Sequence, residues 1–367
     1  MNAGQRKLRW LIPLLFLVLL AIALALYLII ANKTRESPTL SFVEQYMTNP
    51  NGTLATYLVD AKSVNPDIVA GHEALSESVG IWMQIALANK DQTRFDGGLQ
   101  ILKDKFLSPQ QYIAWKLQPD GTSQVHTNAL GDDLRIEKAL LDAYDLWHQP
   151  NYLNMAQSLA GTLRGSLLSG GYWVDFHDFN SNLSSHELSL VYIDIPAMKS
   201  MKQHGLMDQS LLVRHTELLR QKPVSGVFYP TSFDVSTKTY ITRDDANLID
   251  QLIIAIHLTE SGDPAGNLIT FLKHEWETRG KLFGRYNRQS LEPTVSYESP
   301  SVYGLAIVLA MELKDQVWAD ELYTRMISFR GKQSPYKGGY VANGNSHIFD
   351  NLIPLLAESL YFSRKGM

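Results

Sequence analysis

The chain has 367 residues, of which 45% are hydrophobic and 19% charged, so it can build a sizeable core and wholesale disorder is excluded. A formal net charge of −4 leaves no basic stripe to release counterions, which excludes a general nucleic-acid binder. Cysteine is absent, so disulfides, thiolate metal sites and cysteine nucleophiles are excluded together.

Taken from the N-terminus, the first feature is Trp10 to Ala31, "WLIPLLFLVLLAIALALYLIIA", a run of 22 residues without a charge. It is long enough to cross a bilayer core of about 30 Å. A secretory signal has a shorter apolar stretch and an A-x-A-like exit, whereas this run ends in Ala31-Asn32-Lys33, so an uncleaved anchor is expected. Arg6, Lys7 and Arg9 precede the run, while Lys33 and Arg35 follow it, and the positive-inside bias orients the N-terminus toward the cytoplasm. The expected organisation is a cytoplasmic stretch over 1–9, a single-pass transmembrane anchor over 10–31, a linker over 32–40 and an extracellular catalytic domain over 41–367.

Beyond the anchor the pattern predicts helices near 41–48, 76–90, 93–107, 133–148, 151–167, 187–204, 207–221, 245–260, 264–278, 299–314, 316–330 and 347–363. They fall into pairs, and connections as short as "WHQPNY" and "TESGDPAG" force antiparallel hairpins. Glu77, Asp133, Glu187, Asp245, Glu298 and Asp350 each stand at or just before the first helix of a pair, separated by 56, 54, 58, 53 and 52 residues. Acids at helix starts are expected as caps and dipole partners. The even period is more telling: two helices and a long loop per unit, six times over, predict an all-α (α/α)6 barrel. The inner helices then bring their N-termini and acids to one end, forming a cleft.

At these helix starts the sequence resembles glycoside hydrolase family 8. "LSESVGIWMQIALANKDQTRFD" is similar to that family's S-E-G-x-G-Y-G-M signature with a later F-D: Ser76, Glu77, Gly80, Met83, Phe95 and Asp96 match, and Ser78, Ile81 and Trp82 depart. "ALGDDLRIEKALLDAYDLW" resembles A-T-D-G-D-L-x-I-A-x-A-L, with Asp133 on the second aspartate and Gly131 in place of the first. "AWKLQPDG" resembles the A-W-R…D-G loop, with Trp115 and Lys116 at sugar-contacting positions. "ELSLVYIDIPAM" is a loose version of N-P-S-Y-x-x-P that keeps Tyr192. "ITRDDANLIDQLIIA" resembles Y-D-A-x-R-x-P-L, where Asp245-Ala246 match and Asp244, Leu248 and Asp250 replace Tyr, Arg and Pro. The likeness spans about 70 to 260 and is nearest to divergent membrane-attached members found beside exopolysaccharide synthesis machinery in Gram-positive bacteria.

The resemblance implies an inverting, endo-acting hydrolase that trims a bacterial exopolysaccharide, with Glu77 as general acid, Asp245 as general base and Asp133 on a sugar hydroxyl. Inversion needs the two carboxyls roughly 6.5–9.5 Å apart, with room for a water, a gap that acids on opposed inner helices can span. Glu77 must hold its proton near neutrality, and Trp82 on the same helix is expected to supply the desolvation. Sugars stack their C–H faces on aromatic rings, so Trp82, Trp115, Trp173, Tyr192 and Tyr297 are expected substrate contacts, with Lys116 and Asp244. Tyr172, Tyr229, Tyr286, Tyr336 and Tyr340 also fall near the proposed cleft end, where loop aromatics can equally plug the barrel mouth. His72 and His347 flank inner-helix starts, where capping or surface roles compete with sugar contacts.

The ten histidines form no H-x-x-x-H or H-E-x-x-H, so neither a metal nor another cofactor is expected. The Gly-aromatic loops "GGYWVDFHDF" and "KGGYVANGN" lack the strand-to-helix context of a phosphate cradle, and no G-x-S-x-G occurs. The expected partners are an extracellular polysaccharide, the membrane through the N-terminal helix, and exopolysaccharide synthase components, with no nucleic acid. Two alternatives stay open: a catalytically degenerate polysaccharide-binding subunit of a synthase complex, and a lyase acting on uronates.

Overall fold

A computed structural model describes residues 37–63, 65, 67–220 and 226–365. Twelve α-helices are found among them: α1 (Pro38–Tyr46), α2 (Ser76–Ala88), α3 (Gln92–Ile101), α4 (Leu130–Trp147), α5 (Pro150–Ser166), α6 (Ile195–Gln203), α7 (Gln209–Arg220), α8 (Leu248–Glu260), α9 (Gly266–Arg279), α10 (Pro300–Glu312), α11 (Gln316–Ser328) and α12 (Phe349–Lys365). The even-numbered helices pack α2 on α4, α4 on α6, α6 on α8, α8 on α10, α10 on α12 and α12 back on α2, closing an inner ring. The odd-numbered helices form the outer layer, and α1 completes it by packing on α12. This is the (α/α)6 barrel that the period of the acids predicts. The expected anchor over 10–31 lies outside the described residues.

The inner helices are apolar nearly all round because they touch neighbours on every side. In α10, Ser301 through Ile307 are buried without interruption. Outer helices carry one apolar stripe, as in α5, where Tyr152, Met155, Ala156, Leu159, Ala160 and Leu163 face inward at helical spacing. Starts are set locally. Asp91, Asp194, Asn247, Ser299 and Asp315 each accept a backbone N–H of the first turn, and Pro38, Pro150, Pro196 and Pro300 occupy opening positions where no N–H is needed.

The structure departs from the helix expectation at three places. Residues 187–189 are extended and pair antiparallel with 232–234, so helix begins only at Ile195, where Asp194 caps and Pro196 fixes the first turn. Residues 245–247 pair with 285–287, and Asn247 caps α8. The end of the expected 93–107 helix widens into a π-helical turn over Leu102–Phe106. With the pair 74–75 and 116–117 ahead of α2, short antiparallel pairings precede α2, α6 and α8, and they fix how the chain enters the ring at the cleft end.

Candidate active site

The sites stand at the N-terminal ends of the inner helices, and Glu77 occupies the first turn of α2. It is half-buried, and burial pushes its carboxyl up to about 7, with Arg135 opposing and Asp132 reinforcing the shift. Asp132, in the first turn of α4, accepts from Ser76 Oγ at 2.6 Å and pairs with Arg135 Nη1 at 3.1 Å. Burial raises the Asp132 carboxyl too, against the pull of Arg135 and the Ser76 hydroxyl. Asp175 adjoins this group through Tyr192, whose hydroxyl burial holds up, with Asp132, Asp175 and Glu77 adding to the shift. Asp175 accepts the Ser189 N–H at 2.6 Å and its hydroxyl at 2.7 Å, and burial still lifts its carboxyl to about 6. Four protonatable groups and one guanidinium thus share a single corner of the cleft.

The second cluster lies at the start of α8, three places round the six-membered inner ring from α2 and therefore opposite it. Asp245 is 35% exposed and bonds Arg285 Nη1 at 2.9 Å, an arrangement set by the pairing of 245–247 with 285–287. Asp250, in the first turn of α8, has its carboxyl raised by burial against the fields of Arg285, Arg243 and Arg288. With Thr231 and Asn247 these groups line a polar pocket of about 100 Å³.

Several expected site residues are placed elsewhere. Asp133 is 3% exposed and accepts from Asn128 Nδ2 at 2.5 Å, so it organises the core below the cleft, and its neighbour Asp132 faces Glu77 instead. Lys116 is 2% exposed and turns inward to Glu73 Oε1 at 3.2 Å, which removes it from substrate reach. Trp173 is fully buried against His215 and belongs to the core. Trp82 does not desolvate Glu77: five residues on, it points about 140° round the helix and lines a groove in the barrel wall.

Other expectations fall at the cleft. Trp115 is half-buried beside the active corner, its carbonyl accepting the Ser76 N–H at 3.0 Å. Tyr297 is 54% exposed and Asp244 is exposed next to Asp245. Tyr192 explains the glycine at 131: a Cβ there would lie 2.8 Å from Tyr192 Cε1 and closer still to Cδ1, so the ring occupies the space that an aspartate would need. Tyr229, Tyr286 and Tyr340 are buried, and the half-buried Tyr172 and Tyr336 pack against outer helices, Tyr172 on His215 and Tyr336 on Phe42 and Tyr46. His347 stacks edge-on against Tyr57 at 4.9 Å, and His72 Nε2 lies 3.4 Å from the Leu58 carbonyl.

The remaining periodic acids are structural. Glu187 accepts from Ser232 Oγ, Glu298 pairs with Arg325 Nη2 at 2.6 Å, and Asp350 accepts from Ser299 and Ser301 at 2.7 Å each. Asp96 of the F-D match accepts the Tyr152 hydroxyl at 2.7 Å and ties α3 to α5. Sequence reasoning missed Asp132, Arg135, Asp175 and Arg285. The i,i+3 spacing of Asp132 and Arg135 could have flagged the first pair; nothing local signals Arg285, which arrives from another loop.

No family model matches the chain. Over 335 residues it is 34% identical to the Bacillus subtilis (strain 168) protein named "Putative lipoprotein YdaJ", covering 90% of this chain and 89% of that one. Its fold is similar to a solved structure of a novel alpha-amylase from Clostridium perfringens, with a TM-score of 0.80 and 24% identity over 88% of this chain and 96% of that one. It is also similar to the endoglucanase Cel10, a family 8 glycosyl hydrolase from Klebsiella pneumoniae, with a TM-score of 0.60 and 17% identity over 88% and 99% of the two chains. These findings correct the expected single-pass placement in the cell membrane. Among the described residues no helix is long and apolar enough to cross a membrane, and the Bacillus subtilis relative is named a lipoprotein, a lipid-attached class, instead of a spanning one. By its identity to that relative over nine-tenths of its length the chain belongs to the same family, and its fold is similar to that of a family 8 glycosyl hydrolase.

Proposed function

We propose that this protein is an inverting, endo-acting glycoside hydrolase of a bacterial exopolysaccharide, with Glu77 as general acid and Asp245 as general base. The observation that carries the reading is the contrast between two carboxyls on opposed inner helices. Glu77 is desolvated and holds its proton to about pH 7, while Asp245 is more exposed and bonded to a guanidinium. A desolvated carboxyl that keeps its proton supports the role of acid for Glu77, and a carboxylate beside a guanidinium on the opposed helix supports that of base for Asp245. In the reaction Glu77 gives its proton to the glycosidic oxygen as the bond from C1 to that oxygen breaks. Asp245 takes a proton from a water whose oxygen forms the new bond to C1 from the opposite face. Arg285 holds one Asp245 oxygen and leaves the other for the water. Asp132, fixed by Ser76 and Arg135, replaces Asp133 as the sugar-hydroxyl contact, and Trp115, Tyr192 and Tyr297 offer rings to the sugar faces.

The test uses the purified full chain on a panel of bacterial exopolysaccharides, α-glucan and β-glucan. Polymer length is followed by size exclusion and the first-formed anomer by proton NMR. A rapid fall in length with inverted anomeric configuration is expected. A retained anomer, or an unchanged length across the panel, overturns the reading.

A further inference from the structure

We propose that the barrel wall carries a second glycan-binding site, in the groove between α1 and α3, with Trp82 as its platform. The groove holds about 490 Å³, within the range of ligand sites, and lies where two outer helices part and the inner helix α2 shows through. Trp82 lines it, half-buried, about 140° round α2 from Glu77, so the site is separate from the cleft. The Arg94 guanidinium lies 5.2 Å from the indole centroid and is itself held by Glu44 at 2.5 Å and Asp91 at 3.2 Å. This gives a fixed indole with a guanidinium over its ring and two carboxylates beside that guanidinium. A sugar needs the same pairing, with apolar C–H faces against a ring and hydroxyls against charged acceptors and donors.

The glycines of α3 are a second, independent observation. A glycine inside a helix costs about 1 kcal/mol relative to alanine, and α3 carries two in succession. Gly98 has a packing reason, because a Cβ there would come within 3.1 Å of Met83 Cγ. Gly97 has none: a Cβ there meets nothing within 4 Å, yet the residue lines the groove and is exposed. Bare backbone at this point keeps the groove open at the expense of helix stability. The π-helical turn at Leu102–Phe106 follows directly, and such turns gather at functional sites. Two carboxylates against one guanidinium disfavour an anionic ligand, so the occupant is a neutral or amino-sugar chain. The proposal does not depend on Glu77 as the acid.

The test is affinity electrophoresis of the full chain carrying Glu77→Gln, which leaves the polymer intact, in gels containing amylopectin, mixed-linkage β-glucan or chitosan. At least one polymer is expected to retard the protein. Adding Gly97→Leu, or Gly97→Gln as a polar filler, should weaken that retardation on the order of tenfold, the loss of one blocked aromatic contact. Circular dichroism and urea unfolding should show the Gly97 variants folded and at least as stable. In the native background, Gly97→Leu should leave cleavage of a short oligosaccharide unchanged. Equal retardation with and without Gly97→Leu, or no retardation in any gel, overturns the site. Failure of the hydrolase reading is seen separately, as absent cleavage by the native chain.

Discussion

Replacing Glu77 by glutamine keeps the shape of the side chain and removes its titration. The folded protein holds this carboxyl at about 7 against an ordinary 4.5, chiefly through burial. At 1.36 kcal/mol per tenfold, ionising it in place costs about 3 kcal/mol. Because the folded value lies above the unfolded one, that stability is fully present below pH 4.5 and is lost as pH rises through about 7. Glu77→Gln should therefore match the native chain near pH 4.5 and exceed it by about 3 kcal/mol at pH 8, on the order of 5 °C in midpoint. Urea unfolding of both proteins across this range reads the difference. The same variant should lose cleavage by about 10²–10⁴-fold, and native activity should fall as pH rises through about 7. A stability difference that does not change with pH, or a fully active Glu77→Gln, would refute the reasoning.

Gly131→Asp should destabilise the barrel by about 1–3 kcal/mol, because the new side chain must displace the Tyr192 ring; unchanged urea unfolding would contradict that packing. Lys116→Met should cost about 3 kcal/mol by leaving Glu73 without its ammonium, yet the folded enzyme should keep its KM, since Lys116 is sealed from the cleft. Glu137 is fully buried, neither of its carboxylate oxygens has a partner among the described residues, and burial raises its carboxyl well above the usual range. Its folded value lies above the unfolded one, so stability is lost as pH rises. Glu137→Leu should accordingly stabilise the protein, and more at pH 8 than at pH 5. Denaturation at the two pH values decides it.

The two carboxyls of the proposed site were legible because they sit at repeated structural positions. Glu77 and Asp245 could be found from the period of the acids and the motif likeness. The neighbours that control them could not. Asp132 and Asp133 are adjacent in sequence and both open α4, and only the direction each side chain takes from the first turn puts one beside Glu77 and the other against Asn128. Lys116 and Trp173 are types that normally signal a sugar contact, and both are buried, Lys116 against Glu73 and Trp173 against His215.

The sequence by itself determined the ring of hairpins, since apolar periodicity, caps and short connections are local signals that add up along the chain. It also determined which helix ends carry acids. Only the tertiary structure decided which of those acids share a cleft: Arg285 reaches Asp245 from 40 residues away, and Tyr192 fills the space beside Gly131 from a different loop. A proton's affinity for a carboxyl depends on burial and on charges across the ring, and neither is written in the residues next to it.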